Sequence, residues 1–435
     1  MGLESDSVGS ETRFAAYVEG LTAALGHADR AAPFQSYCAG LLLPGERKSV
    51  EPMAARIEPQ RVQATHQSLH HFVANADWSD DAVLAAVRAR ALPSIEQLGP
   101  MRALIIDDTG IPKKGRHSVG VARQYCGQLG KQDNCQVAVS LSLAGDHASL
   151  PIAYRLYLPQ EWTDDAQARA KAGVPDDVVF KTKPQIALDQ LRAAKSAGIT
   201  APIVLADAGY GNDTAFRGGI TKLGFAYVVG IQSTTSLWPP GEQPLAKKPW
   251  SGRGRPTSAI RRDADHQPIS AKELALTLPP KAWRGVTWRE GSNTMLASRF
   301  AAVRVRPAHR DYQQSRPRPE EWCLIEWPPG EAEPTKYWLS TLAPNLSRRA
   351  LVNAAKLRWR IERDYQDLKQ ELGLGQYEGR GWRGFHHHAT LCIAAYGFLL
   401  CERAAFPPSG QRKTVLIKES PIPRGYRPRG SSDPA

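Results

Sequence analysis

Cysteine is scarce in this chain, six in 435 residues and none in a Cys-x-x-Cys pair. That excludes a disulfide framework or a zinc ribbon and reads as reduced thiols of the cytosol. Long apolar runs are missing too. No stretch approaches ~18 consecutive apolar residues, so no membrane span is expected. The first residues, MGLESDSVGSETRF, carry neither a basic nor an apolar leader region, so no secretory signal is expected. There is no internal repeat. Acidic residues fall short of basic ones, 43 against 56, giving a net charge of +13 and a pI near 9.5. A surplus of that size favours a polyanionic partner, most commonly nucleic acid. What is present suffices for a core: 42% apolar and 23% charged residues exclude wholesale disorder. A length of 435 residues implies two or three domains.

Residues 1–95 read as helical. Phe14, Tyr17, Val18 and Leu21 recur at the spacing of one helix face. A second run, Val62 to Val73, is dense in Gln and His, and a third starts at Ser79 with Asp80 and Asp81 in its first turn. The pattern changes at residue 102. Leu104, Ile105 and Ile106 form a short apolar strand ending in Asp107-Asp108-Thr109. Alternation at Val137–Leu143 and Ile152–Leu158 predicts two further strands with one covered face, completing a three-strand meander. A helix near Gln185–Ala197, a buried strand Ile203–Ala206 ending in Asp207, a helix holding Phe216, Ile220 and Leu223, and a strand Phe225–Ile231 follow. The order β-β-β-α-β-α-β is that of a ribonuclease H-like α/β fold. Residues 237–258 hold five prolines and read as an exposed loop. RFAAVRVR, EWCLIEW and KYWLSTL are candidate strands, and one long helix is expected from Ser347 to about Leu372, with another over Ala389–Leu400. The basic, Pro-rich last 30 residues read as a disordered tail.

Two strand-end aspartates, Asp107 or Asp108 in LIIDDTG and Asp207 in VLADAGYG, stand with Glu362 in RWRIERDYQDLKQEL as candidate catalytic carboxylates. Arg358, Glu362 and Lys369 fall on one line of a regular helix, beside the apolar stripe Leu351, Ala354, Ile361, Tyr365, Leu368 and Leu372. Three like charges repel unless a cation neutralises them. Mg²⁺ (or Mn²⁺) prefers such hard oxygen donors. Two ions, both held by Asp107, Asp207 and Glu362, would clamp the attacking and leaving oxygens of a phosphodiester displacement. Arg358 and Lys369 would hold phosphates. Taken singly, each Asp also reads as a cap and the Arg/Glu pair as a surface ion pair.

The motifs IDDTGIPKKGRHSVGVARQYCGQLGKQDNCQ, VLADAGYG and LRWRIERDYQDLKQELGL, with RKSVEPMA as a weaker one, resemble the DDE transposases of bacterial insertion sequences, most closely the insertion sequence 701 family. The resemblance spans about residues 35–400. It implies a ribonuclease H-like core interrupted by a mostly β insertion. The domain boundaries expected are 1–95 (helical, binding the DNA ends), 96–232 (first part of the core), 233–343 (insertion), 344–405 (last helices of the core) and 406–435 (tail). The related insertion-sequence-4-like group carries Tyr-x2-Arg-x3-Glu-x6-Lys. Arg358, Glu362 and Lys369 match it, while the Tyr position holds Ala355. The group's Asp-x-Thr/Ser pattern selects Asp107, with Asp108 a live alternative. The partners implied are terminal inverted repeats and target DNA, with a homodimer on DNA and a cytoplasmic, nucleoid-associated location in a bacterium. A nuclease that cuts without joining and a DNA-binding protein without chemistry are the competing readings.

Weaker signals complete the reading. Lys113, Lys114 and Arg116 follow the first Asp as phosphate contacts or a solvated turn. Arg253-Gly254-Arg255-Pro256 matches a minor-groove hook or an ordinary basic loop. His386, His387 and His388 point in different directions on a helix, which favours a structural role over a metal site. Trp238, Trp250, Trp283 and Trp288 either stack on unpaired bases or pack the insertion.

Overall fold

A computed structural model of the chain describes residues 9–199, 201–250, 252–253, 258–290 and 295–407. The tail expected at 406–435 lies almost wholly outside these residues, as does Arg255. The fold is mixed α/β and falls into two compact units: one of Met1–Arg102, Asp107–Gln190 and Arg360–Ala435, the other of Ala103–Ile106 and Leu191–Trp359. Among the described residues no helix is long and apolar enough to cross a membrane.

The first unit opens with helices Ser10–Thr22, Ala31–Leu42, Val50–Ile57, Val62–Ala74 and Asp80–Glu96. Phe14, Tyr17, Val18 and Leu21 form the buried face of the first, as their spacing requires. Ser79 caps the last, its side chain accepting from Ala82 N. These helices pack on a 24-residue helix, Trp382–Ala405, that is buried nearly all round. The Tyr17 hydroxyl donates to Ala394 O at 2.9 Å. A Cβ at Gly397 would lie 2.5 Å from that hydroxyl, so only glycine admits the tyrosine there. Arg13 and Glu402 close the same contact as an ion pair at 2.6 Å.

Four strands belong to this unit in whole or part: β1 (Met101–Pro112), β2 (Ala122–Cys126), β3 (Lys131–Gly145) and β4 (Ser149–Leu156). β3 pairs antiparallel with both β2 and β4. Three expectations are corrected here. β1 does not stop at Asp107 but runs five residues further, because Thr109 and Ile111 are buried beyond it and Lys113 N bonds Asn134 O of β3. β2 adds a strand to the expected meander. β3 is buried on both faces from Cys135 onward, and two of its polar members find internal partners: Gln136 donates to Val119 O and Ser140 bonds Tyr365.

In the second unit, the apolar half of β1 pairs in parallel with β5 (Ile203–Ala206), and β5 pairs in parallel with β6 (Ala226–Ile231). The segment expected as an insertion, 233–343, holds β7 (Ser236–Trp238), β8 (Ile269–Ser270), β9 (Arg284–Glu290), β10 (Met295–Pro307), β11 (Glu321–Trp327) and β12 (Lys336–Ser340). β12 joins β6 antiparallel, and β11, β10 and β9 follow in antiparallel order. Three of the four tryptophans are packing residues: Trp238 is buried and donates to Asp311 at 2.6 Å, Trp283 is buried edge-on to Trp327, and Trp288 meets Phe300 edge-on. Trp250 is 59% exposed.

The single helix expected from Ser347 to Leu372 is three pieces: helix Arg348–Lys356, helix Trp359–Gln366 and a π-turn Asp367–Glu371. The first is anchored in the second unit, where Lys356 pairs with the buried Glu326 at 2.6 Å over the ring of Trp288. The remaining two belong to the first unit and are held by buried carboxylates described below.

Candidate active site

β1 delivers Asp107 and Asp108 in mid-strand, both half-buried. Successive strand residues face opposite sides, so the two carboxylates diverge. The Asp108 carboxylate forms a short ion pair with Lys183, the first residue of helix Lys183–Ser196. Asp108 N donates to Asp107 Oδ1 at 2.9 Å, which fixes the rotamer of Asp107.

The helix carrying Glu362 is tied to the same strand within the first unit. Glu362 is exposed in the first turn of helix Trp359–Gln366. Tyr365, three residues on, bonds Ser140 at 2.8 Å. Burial raises its phenol well above the ordinary range and the nearby negative charge of Asp107 adds to the shift. One turn later, Lys369 donates to Gly110 O of β1 at 2.9 Å and to Gln128 Oε1 at 3.3 Å. Burial lowers its pKa below the usual lysine range. The interior side of these turns carries acids that the sequence reading did not single out. Asp364 accepts from Ser149 at 2.5 Å and Tyr396 at 3.0 Å, and burial pushes its pKa up to about 6. Asp367 takes Arg363 and Arg403 at 3.2 and 2.9 Å. Leu372 N reaches back five residues to Asp367 O, and this π-turn shifts Lys369 off the straight line expected for it.

In the second unit, β5 ends in Asp207, which caps the short helix Ala208–Gly211: Oδ1 accepts from Gly209 N at 2.9 Å and Tyr210 N at 3.4 Å. Both bonds use one oxygen. This turn lies hard against β6. A Cβ at Gly211 would fall 1.9 Å from Gly230 O, and one at Gly230 would fall 2.8 Å from Ala208 N. Arg358 sits half-buried in the turn where the long helix is interrupted. Arg253 is exposed in the insertion loop.

Of the other basic candidates, Lys114 is exposed, while Lys113 donates to Tyr377 O at 2.7 Å and is lowered in pKa by burial. The three consecutive histidines are structural. His387 stacks on Trp78 with ring centroids 3.6 Å apart, His388 bonds Tyr37 at 2.9 Å, and His386 bonds Trp382 O at 2.9 Å. Burial lowers all three to about 4, so they are neutral at pH 7. Among the described residues no three His, Cys, Asp or Glu side chains are gathered at metal-binding distance. The donors of Asp107, Asp207 and Glu362 are all carboxylate oxygens, which suits a hard divalent cation and not a thiolate-seeking one.

Residues 20–295 match the family model described as DDE superfamily endonuclease. The chain belongs to that family. The match contains Asp107, Asp108 and Asp207 and stops short of Glu362. The endonuclease family's pattern is joined by a relative: a probable transposase for insertion sequence element IS701 of Microchaete diplosiphon is 34% identical over 168 residues. That alignment covers 38% of this chain and 41% of the relative.

Lys183 and Asn134 have no local signal in the sequence, because each acts through a partner distant along the chain: Asp108, and the carbonyls of Lys113 and Gly115; Tyr365 is on the expected apolar stripe, but its bond to Ser140 is not legible there.

Proposed function

We propose that the chain is a DDE transposase with a ribonuclease H-like core, which binds the terminal inverted repeats of an insertion sequence, cuts there and joins the 3′ ends to target DNA. The observation that carries the reading is the membership in the DDE endonuclease family over residues 20–295, joined to the resemblance to the IS701 relative. The parallel pairing of β1, which carries Asp107 just past the paired residues, with β5, which is followed by Asp207, supports it.

In this reading Asp107, Asp207 and Glu362 hold two Mg²⁺ or Mn²⁺ ions. When bound, such ions stabilise the attacking and departing oxygens of the phosphodiester. Asp108 stays out of the site because Lys183 neutralises it. The Asp207 cap leaves Oδ2 outside its two hydrogen bonds and holds the carboxylate in one rotamer. Arg358, Lys369, Lys113 and Lys114 bind phosphates, and Arg253 with Arg255 contacts the minor groove. Residues 1–95 read the DNA ends. Helix Val62–Ala74 supports this, since it exposes Gln63, Gln67, Ser68, His70 and His71 and no carboxylate lies between Glu58 and Asp77. Joining two ends needs two active sites, so the protein works as a homodimer on DNA.

The deciding experiment incubates the full chain with Mg²⁺, labelled element ends and plasmid target. Joined product is expected. Ends cut but never joined would make it a nuclease, and bound but uncut ends a DNA-binding protein.

A further inference from the structure

The β2–β3 hairpin lies outside the carboxylate set, yet it is bound to both flanks of it. At its tip Gln128 accepts from Lys369, and at its base Asn134 Nδ2 donates to Lys113 O and Gly115 O at 2.6 and 2.9 Å. The loop that follows Asp107 is therefore clipped to the hairpin. The turn is tight: Leu129 N and Gly130 N both donate to Cys126 O, and Gly130 has φ +65°, a left-handed conformation that glycine adopts without strain.

One face of this hairpin is unusual. Arg123 opposes Asn134 and Tyr125 opposes Gln132, so the four side chains share a face. Tyr125 is 62% exposed and Leu129 at the tip 42% exposed, whereas large apolar groups of this unit are mostly interior. The charge around them has one sign. From Thr109 to Gly145 there are five lysines and arginines (Lys113, Lys114, Arg116, Arg123, Lys131) and one acid, Asp133. Asp133 lies on the other face, where it pairs with Lys131 at 3.2 Å. An exposed aromatic ring among cations and amides suits a single-stranded nucleic acid, whose bases stack while its phosphates are neutralised. A protein partner of matching chemistry would have to be acidic, and this chain itself is basic.

We propose that the β2–β3 hairpin binds the unpaired nucleotides at a DNA end: Tyr125 stacks on a base, Arg123 and Lys114 contact the flanking phosphates, and Gln132 contacts the base edge. The hairpin thereby holds a frayed end beside the strand that carries Asp107. This rests on the transposase reading and adds to it a preference for ends with unpaired nucleotides.

The test uses the full-length protein and two duplexes of one sequence, one blunt and one with a short single-stranded end that carries 2-aminopurine. Wild type should quench the 2-aminopurine and bind the frayed duplex roughly tenfold tighter, as loss of one base stack on an aromatic ring implies. Tyr125→Ala should abolish both effects and leave affinity for blunt duplex unchanged, while Tyr125→Trp should retain them. Arg123→Ala should lower the salt slope by about one unit. Equal preference and equal quenching in Tyr125→Ala would overturn the proposal, as would a Tyr125→Trp protein that behaves like Tyr125→Ala. A change in sedimentation of the DNA-free protein with no change on DNA would assign the face to a second copy of the chain and overturn it too. Failure of wild type to bind either duplex would instead remove the transposase reading itself.

Discussion

Lys183, at the start of its helix, forms an ion pair with Asp108, the immediate neighbour of Asp107 on β1. Under the proposed function this pair leaves Asp107, not Asp108, as the first metal ligand. Asp108 has a counter-ion on one face of the strand, and the alternation of strand side chains turns Asp107 to the other. Asp107→Asn should abolish strand transfer. Asp108→Asn should reduce it only modestly and cost at most about 1 kcal/mol of stability, because the pair is half-exposed. Joining assays together with urea unfolding check both. The reverse ranking would reassign the first ligand to Asp108.

Asp207→Asn should leave the fold intact, for a specific reason: Asn caps a helix N-terminus as well as Asp does, so the bonds to Gly209 N and Tyr210 N survive. What is lost is one negative charge at the proposed ion site. Cutting and joining should therefore disappear together, while DNA affinity by gel shift stays within about twofold of wild type. Glu362→Gln should behave alike. Mg²⁺-dependent joining that persists in Asp207→Asn would remove the mechanism.

Much of this architecture is legible in the sequence where a residue's role is set by its neighbours along the chain. The apolar run Ile203–Ala206 forms the buried β5, and Ser79 with two aspartates starts a helix where expected. The helix stripe around Glu362 was read with the right period but the wrong continuity. Leu351, Ile361, Leu368 and Leu372 are all buried, yet the chain leaves the helix at Leu357–Arg358, after Lys356 paired with Glu326 and before the turns whose acids bond Ser149 and Arg403. Alternation likewise misjudged β3, whose buried Gln136 and Ser140 look like a solvent face until their distant partners are known. Long-range satisfaction of polar groups is invisible to any local window.

The Lys369 ammonium donates to the carbonyl of Gly110 at 2.9 Å. A phosphate would offer that ammonium a charged acceptor in place of a neutral one. Lys369→Ala and Arg358→Ala should each weaken end binding irrespective of base sequence and lower the salt slope by about one unit. Filter binding over a salt series measures this. An unchanged slope together with unchanged cleavage would leave both residues a purely structural role.

Acid should destabilise the fold through the buried histidines. Their pKa values are lowered to about 4, so they stay neutral in the folded chain while the unfolded chain takes up protons as pH falls below its ordinary histidine value. Stability from these three groups is complete above about pH 6.5 and is lost toward pH 4. A half-buried acid and a fully buried one oppose them. Asp80, 3.9 Å from His387, is raised to about 7 and Asp364 to about 6, so the folded chain keeps protons that the unfolded chain releases above about pH 4. Near pH 5 these groups leave the unfolded state about one proton ahead, and the slope of stability with pH is positive. His387→Phe preserves the stacking on Trp78 and removes one titrating group. Urea midpoints between pH 5 and 7 should then show the slope reduced by about one proton, whatever the loss at pH 7 of the one hydrogen bond that the neutral ring's single N–H gives to Val73 O or Trp78 O. An unaltered slope would mean that His387 is protonated in the folded chain, paired with Asp80.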